Sequence, residues 1–163
     1  MKRDIKPKID ESKLVLNPFA RSLKINVNEL VSPKYWEKSS EDGVTVVAPA
    51  DIEYEAGSYC KVFTDATRRD MVSKLSARAK DLLMWFIYET ETGKDWVWIN
   101  KGKYMKDNGV KSINTYKSAV KELMLNGYIS PTIYQNTFWI NPYIFFNGSR
   151  LKKYPNNLVI KKK

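Results

Sequence analysis

Residues 101–147 constrain the fold of this chain more than any other part, because they predict four elements in a fixed order. A short helix is expected over residues 101–108, and Asn108-Gly109 is a strong breaker that gives a turn after it. A longer helix follows, with Ser112 as a suitable N-cap. Asn126-Gly127 suits a left-handed C-cap and ends this second helix.

The two remaining elements are short strands that form a β-hairpin. They are expected over residues 128–133 and 137–140, joined by residues 134–136. A connection of three or four residues between two helices is helix-turn-helix spacing. The sequence therefore predicts a winged helix-turn-helix, in which the hairpin is the wing and the second helix enters the DNA major groove.

An amphipathic helix and a strand precede this motif. Apolar residues recur at spacings of three and four over residues 76–90, with Ser76 as N-cap and Gly93 after the end. Residues 95–100 alternate in the manner of a strand, with Trp96 and Trp98 on one side. These elements, together with the motif, predict an α+β fold.

The first part of the chain is more irregular. Residues 1–12 are polar and are expected to form a flexible arm. Apolar runs over residues 14–19 and 23–27 predict short strands or a segment laid over another surface, and residues 44–47 also have strand character. The predicted organisation has three parts: an N-terminal arm and β-rich extension over residues 1–58, a winged helix-turn-helix domain over residues 59–150, and a basic C-terminal tail over residues 151–163.

Positive charge is concentrated in the second part of the chain. Residues 1–64 contain ten basic and ten acidic residues, whereas residues 65–163 contain eighteen basic and eight acidic residues and carry the whole net charge of +10. Such asymmetry indicates a polyanionic partner for the second part, although lysine-rich surfaces also serve solubility. The expected partner is double-stranded DNA.

The predicted reading helix has one apolar and one polar face. If Ile113, Tyr116, Val120, Leu123 and Met124 point inward, the opposite face presents side chains that can bond bases or phosphates. The predicted DNA-binding residues are Lys111, Ser112, Asn114, Thr115, Lys117, Ser118, Lys121 and Arg150.

The wing carries no cation, since no Lys or Arg occurs between Lys121 and Arg150. Residues 134–137 offer only neutral hydrogen-bonding groups to a DNA backbone. A second interpretation is that the wing packs on another subunit. The dense aromatic residues nearby, from Trp96 to Phe146, alternate along strands. They are expected to lie in the core, with some at a dimer interface, rather than to stack on single-stranded bases.

Composition also argues against catalysis. The chain contains no histidine, which excludes a Ser-His-Asp triad and a His-metal nickase, and it has no phosphate-binding loop sequence of the ATPase type. Cys60 is the single cysteine, so no disulfide or thiolate metal site is expected. We expect a non-enzymatic protein without a cofactor or metal. No signal peptide or membrane span is expected, and the predicted location is the cytoplasm or, for an assembly protein, a phage particle.

Residues 59–150 resemble the RepL family, the small replication proteins of plasmids from Gram-positive bacteria and of related phage elements. The most specific part is the phrase from Phe138 to Arg150, Phe-Trp-Ile-Asn-Pro-Tyr-Ile-Phe-Phe-Asn-Gly-Ser-Arg. The other matching segments are Lys61-Val62-Phe63, the helix phrase from Ser112 to Leu123, and Asn126-Gly127-Tyr128-Ile129.

The resemblance implies a winged-helix fold and a role in initiating plasmid or phage replication. Further partners to consider are other copies of the chain, in a homodimer or larger homo-oligomer, and phage or host replication proteins. The family's wings often carry basic residues, which this wing lacks, and residues 1–58 have no counterpart in it. Because fold does not determine function, a phage assembly protein and a winged-helix transcriptional regulator stay open as alternatives.

Overall fold

Polar side chains cap the N-terminal ends of three of the described helices. The computed structural model describes residues 5–14, 16–28, 35–39, 45–49, 60–63 and 66–161. Its α-helices are α1 (Ala66–Ser73), α2 (Ala77–Glu89), α3 (Lys101–Asp107), α4 (Ile113–Leu125) and α5 (Arg150–Lys153). In α2, α3 and α4 a side-chain oxygen at the N-cap accepts a backbone N–H of the first turn. These caps are Ser76, Asn100 and Ser112.

A carboxylate on α4 ties that helix to the start of α2. Oε1 of Glu122 accepts the backbone N–H of Ser76 at 2.7 Å, and Oε2 accepts the Ser76 hydroxyl at 2.7 Å. The hydrogen bonds from Ser76 hold the pKa of Glu122 below its usual value. Ser76 therefore caps its own helix and fixes its position against α4.

The strands form four small sheets. A three-stranded antiparallel sheet has the order β5-β7-β6, and its register places Trp96 opposite Trp139 and Ile129 opposite Ile140. Strands β2 and β3 pair antiparallel, as do β4 and β8, whereas β1 and β9 pair parallel. The strands are β1 (Ile25–Asn28), β2 (Tyr35–Ser39), β3 (Thr45–Pro49), β4 (Lys61–Val62), β5 (Trp96–Trp98), β6 (Ile129–Pro131), β7 (Thr137–Ile140), β8 (Phe145–Phe146) and β9 (Leu158–Lys161).

One hydrophobic core joins the helices to the three-stranded sheet. Phe86 on α2 packs edge-on against Phe138 on β7, and their ring centroids lie 5.4 Å apart. Leu82 and Leu123 are fully buried where α2 packs on α4. Burial of these side chains orients α4, because a helix that buries one face must present the other to solvent.

Residues 17–25 contribute to this core. Asn17 is only 2% exposed, and its Nδ2 donates to the Ile140 carbonyl at 3.0 Å and to Oδ2 of Asp95 at 3.3 Å. Ala20 and Leu23 are also buried in the core. These contacts extend across the predicted boundary at residue 58. Within the predicted arm, Nζ of Lys6 lies 3.1 Å from Oε1 of Glu91, so part of that arm also contacts the second part of the chain.

The C-terminal segment meets the same polar cluster. The Tyr154 hydroxyl donates to Oδ2 of Asp95 at 2.8 Å, and Nζ of Lys153 lies 3.4 Å from Oδ1. Burial, followed by the charge of Asp95, raises the pKa of the Tyr154 hydroxyl, so this group stays a donor. Residues 151–161 are therefore more than a basic tail, since they include a helix, a buried tyrosine and strand β9.

The α+β class predicted from the sequence is confirmed. Helix α2 and its cap match the prediction, and α3, α4 and the β6–β7 hairpin follow in the expected order. A strand over residues 14–19 is wrong, because Asn17 instead caps a short 3₁₀ helix, Pro18–Arg21. The strand character of residues 44–47 is confirmed from Thr45 onward by β3, whereas residue 44 lies outside the described residues. Within the described ranges, no helix combines the length and apolar character needed to cross a bilayer.

Candidate nucleic-acid interface

Helix α4 buries a narrower face than the sequence predicted. Tyr116, Ala119 and Leu123 are buried and Val120 is half-buried. The prediction that Ile113 and Met124 point inward is wrong, because they are 38% and 37% exposed. The buried face extends around the helix toward Ala119, so Ile113 and Met124 lie at its opposite margin.

The opposite face of α4 is polar and open to solvent. Asn114, Lys117, Ser118 and Lys121 are exposed and occupy positions i, i+3, i+4 and i+7, which places them along one side of the helix. Thr115 is half-buried at the edge of this face. The four exposed side chains form a continuous stripe, which we call the α4 stripe.

Two further predicted residues lie just before the helix. Lys111 and Ser112 are exposed, and Ser112 Oγ accepts the backbone N–H of Asn114 at 3.2 Å. This hydroxyl is occupied in capping α4, so its main role is to position the first turn. The structure thus gathers seven of the eight predicted residues on α4 and its lead-in.

The lysines around α4 differ from several other lysines of the chain in their ionic contacts. Lys6, Lys74, Lys94 and Lys153 each lie in a salt bridge with a carboxylate. Among the described residues no carboxylate forms such a pair with the three lysines around α4. These are Lys111, Lys117 and Lys121. Their ammonium groups are available to an anionic partner.

Arg150 lies on a separate element and is engaged within the protein. Its guanidinium carbon is 3.4 Å from the ring centroid of Phe63, and Nη1 donates to the Pro142 carbonyl at 2.9 Å. Stacking and hydrogen bonding of this kind hold the β4 segment to the end of the hairpin phrase. We therefore assign Arg150 a structural role and remove it from the candidate interface.

Helix α3 adds cations that the sequence analysis did not select. Lys103 and Lys106 are exposed and Lys101 is half-buried. Lys103 Nζ lies 5.6 Å from the ring centroid of Trp85 on α2. The signal was present in the sequence: once Tyr104 is placed inward, Lys103 one position before it and Lys106 two positions after it must lie on outer sides of a short helix.

The β6–β7 hairpin is neutral and held at its turn. The backbone N–H of Asp10 donates to the Tyr134 hydroxyl at 3.1 Å. Asn136 adopts a positive φ of 54°, which closes the turn, and asparagine tolerates this conformation better than most residues. Ile133 beside it is 70% exposed. The hairpin is thus an ordered projection with polar and apolar groups but no charge.

Most of the aromatic residues are core, as predicted, whereas Trp98 is half-buried and Tyr143 is 38% exposed. Trp96, Phe138, Trp139, Phe145 and Phe146 are all buried. Their rings are unavailable for stacking on single-stranded bases. Cys60 is half-buried, and burial raises the pKa of its thiol, which disfavours the reactive thiolate. In the described part of the chain, His, Cys, Asp and Glu side chains form no group of three that could hold a metal ion.

Comparisons of the chain with protein-family models, with curated proteins and with solved structures found no match. The candidate interface consists of the α4 stripe and Lys111 just before it, whose side chains are exposed on one helix and its lead-in.

Proposed function

We propose that the protein is a non-catalytic, winged helix-turn-helix protein that binds double-stranded DNA, with α4 as the reading helix. The observation that carries this proposal is the α4 stripe: four exposed polar or cationic side chains on a helix whose other face is buried. The order of α3, α4 and the β6–β7 hairpin, with β5 paired to β7, supports the winged arrangement.

The dimensions and chemistry of α4 suit a major groove. An α-helix with side chains is about 10–12 Å across, and the major groove of B-DNA is about 12 Å wide. Asn114 near the helix start can pair bidentately with adenine, and Ser118 can bond a base edge or a phosphate. Lys111, Lys117 and Lys121 can neutralise phosphates and release counterions, which supplies sequence-independent affinity.

We further propose that the DNA is a plasmid or phage replication origin. This proposal rests on the resemblance of residues 59–150 to RepL proteins, above all on the phrase from Phe138 to Arg150. Parts of that phrase also have a structural role, because Phe145 and Phe146 are buried and Arg150 stacks on Phe63. A transcriptional regulator with the same domain would use the same α4 contacts. The DNA sequence that the protein selects therefore distinguishes a replication protein from a regulator.

Selection of binding sites from a random duplex pool tests the proposal. The protein should enrich one short sequence motif. The Asn114→Ala variant should lose preference at one adenine of that motif, at a cost of about 1–3 kcal/mol, while its non-specific binding stays unchanged. Asn156→Ala, which makes the same chemical change at an exposed asparagine outside α3 and α4, is the control. Failure of the wild-type protein to enrich any sequence would contradict recognition by α4.

A second candidate function is assembly with other copies of the chain, as in a phage structural protein. Two exposed apolar residues favour it: Leu125 at the end of α4 and Ile133 beside the hairpin turn, which are 77% and 70% exposed. Size-exclusion chromatography with light scattering, with and without duplex DNA, separates the candidates. A stable large oligomer that is indifferent to DNA would support assembly and contradict the DNA-binding proposal.

A further inference from the structure

An apolar cavity opens on the protein surface between α1, the start of α2 and strand β4. Its volume is about 400 Å³, which falls within the range of roughly 300–1,000 Å³ that is typical of small-molecule sites. Val62 on β4 and Val72 on α1 line it, together with Phe63 and the buried Ile144. We call this space the α1 cavity, and it lies on elements other than those of the α4 stripe.

The apolar lining is held in place by contacts within the fold. The backbone N–H of Phe63 donates to the Ile144 carbonyl at 2.9 Å, and Val62 pairs with Phe145 in the β4–β8 sheet. Val62 is nevertheless 46% exposed. A ligand with an apolar body gains free energy by covering such a surface, and a cavity that is already formed lowers the entropy lost on binding.

Two cations accompany the apolar lining, and the first is Arg69. Arg69, Val72 and Ser73 occupy positions i, i+3 and i+4 of α1, which places them on the side of that helix that faces the cavity. In the described part of the chain no carboxylate forms an ion pair with Arg69, and none lines the cavity. A cavity with cations and without anions favours a negatively charged ligand.

The second cation is Lys80, at the start of α2. Its Nζ donates to the Ser73 carbonyl at 3.3 Å, which keeps the ammonium group beside the cavity and uses one of its three donors. The charge of Lys80 also acts on Glu122, but both oxygens of that carboxylate accept hydrogen bonds from Ser76. The other donors of Lys80 therefore stay available to a ligand.

We propose that the α1 cavity binds a small carboxylic acid, with its apolar body against the two valines and its carboxylate at Arg69 and Lys80. The planar guanidinium of arginine matches a carboxylate through two parallel hydrogen bonds. A small acid is favoured over a protein partner because α1 has eight residues and β4 has two, whereas a stable protein interface buries about 800 Å² on each side. The inference does not depend on the proposed DNA-binding function.

Three ligands with the same apolar chain test the wild-type protein. Sodium octanoate, titrated by calorimetry below its micelle concentration, should bind at one saturable site. 1-Octanol should bind about tenfold more weakly, because it gains no ion pair with the two cations, and octylammonium should bind more weakly still. In the nitrogen-15-labelled protein, octanoate should shift the amides of Phe63, Val72 and Lys80 but not those of Asn114 and Ser118 on α4.

Two variants separate the cations from the apolar lining. Arg69→Gln with Lys80→Gln should weaken octanoate binding about tenfold and leave 1-octanol binding unchanged, because only the carboxylate meets the cations. Val62→Thr should weaken both ligands equally, by about fourfold, since it replaces one methyl group of the lining with a hydroxyl. Lys24→Gln with Lys152→Gln removes two exposed lysines from other segments and should leave both affinities unchanged.

Equal affinities of the wild-type protein for octanoate and 1-octanol overturn the proposal without any variant. Octanoate binding that is absent or does not saturate also overturns it, as does an octanoate affinity that is unchanged without Arg69 and Lys80. Shifts of the cavity amides on raising the protein concentration without ligand would assign the cavity to a second copy of the chain, which contradicts a small acid as its occupant. None of these results bears on DNA binding, which depends on α4.

Discussion

Removal of two lysines from the α4 stripe should weaken duplex binding strongly. The Lys117→Ala, Lys121→Ala variant should lose about 1.8 units of salt slope, which corresponds to roughly 50-fold in affinity near 0.1 M salt. Both lysines are exposed and lie on the same side of α4, so both can reach phosphates along one groove. Fluorescence anisotropy with the selected duplex, over a salt series from about 50 to 200 mM, measures slope and affinity together.

The effect must be separated from a general loss of positive charge. Lys24→Ala with Lys152→Ala lowers the net charge by the same amount but changes exposed lysines outside α3 and α4. This control should retain most of the wild-type slope. Equal losses in the two double variants would show that only overall charge matters, and an unchanged slope after removal of Lys117 and Lys121 would remove α4 from the interface.

The largest effect on stability is expected from Leu123→Ala. Leu123 has no exposed surface and packs where α4 meets α2. Truncation of such a leucine to alanine removes apolar burial and leaves a cavity, at a cost of roughly 2–5 kcal/mol in the free energy of unfolding. Urea or guanidinium unfolding, followed by circular dichroism, measures the change from the shift in midpoint.

Leu125→Ala is a matched control for this variant. It makes the same chemical change two positions further along the same helix, where the side chain is 77% exposed. Its effect should stay within about 0.5 kcal/mol. The comparison also checks the orientation of the α4 stripe, because the buried and exposed faces are fixed by one rotation of the helix. Similar losses in the two variants would mean that α4 is turned differently and that the stripe is misplaced.

Local signals in the sequence predicted much of the fold around the candidate interface. Ser76 and Ser112 marked helix starts because their hydroxyls satisfy backbone N–H groups that lie within three residues. Periodicity placed Tyr116 and Leu123 correctly on the buried face of α4. It misplaced Ile113, because apolar spacing shows the axis of a buried face but not how far it extends at a helix end.

Long-range contacts could not be predicted in this way. Asn17 is a polar residue that is buried only because Asp95 and Ile140, far away in the sequence, supply its partners. Arg150 was assigned to DNA by its charge, and only the tertiary structure brings Phe63 and Pro142 to its guanidinium. A single sequence contains these partners without indicating that they meet. The sequence could therefore predict the α4 stripe, but not the contacts of the first 25 residues.

The most direct test of the account is a map of backbone amide shifts in the nitrogen-15-labelled protein during titration with the selected duplex. The account predicts that the largest shifts occur along α4 at Asn114, Lys117, Ser118 and Lys121. The amides of buried Trp96 and Trp139 should move little. Shifts that leave these α4 amides unchanged and instead centre on Leu125 and Ile133 would contradict DNA recognition by α4.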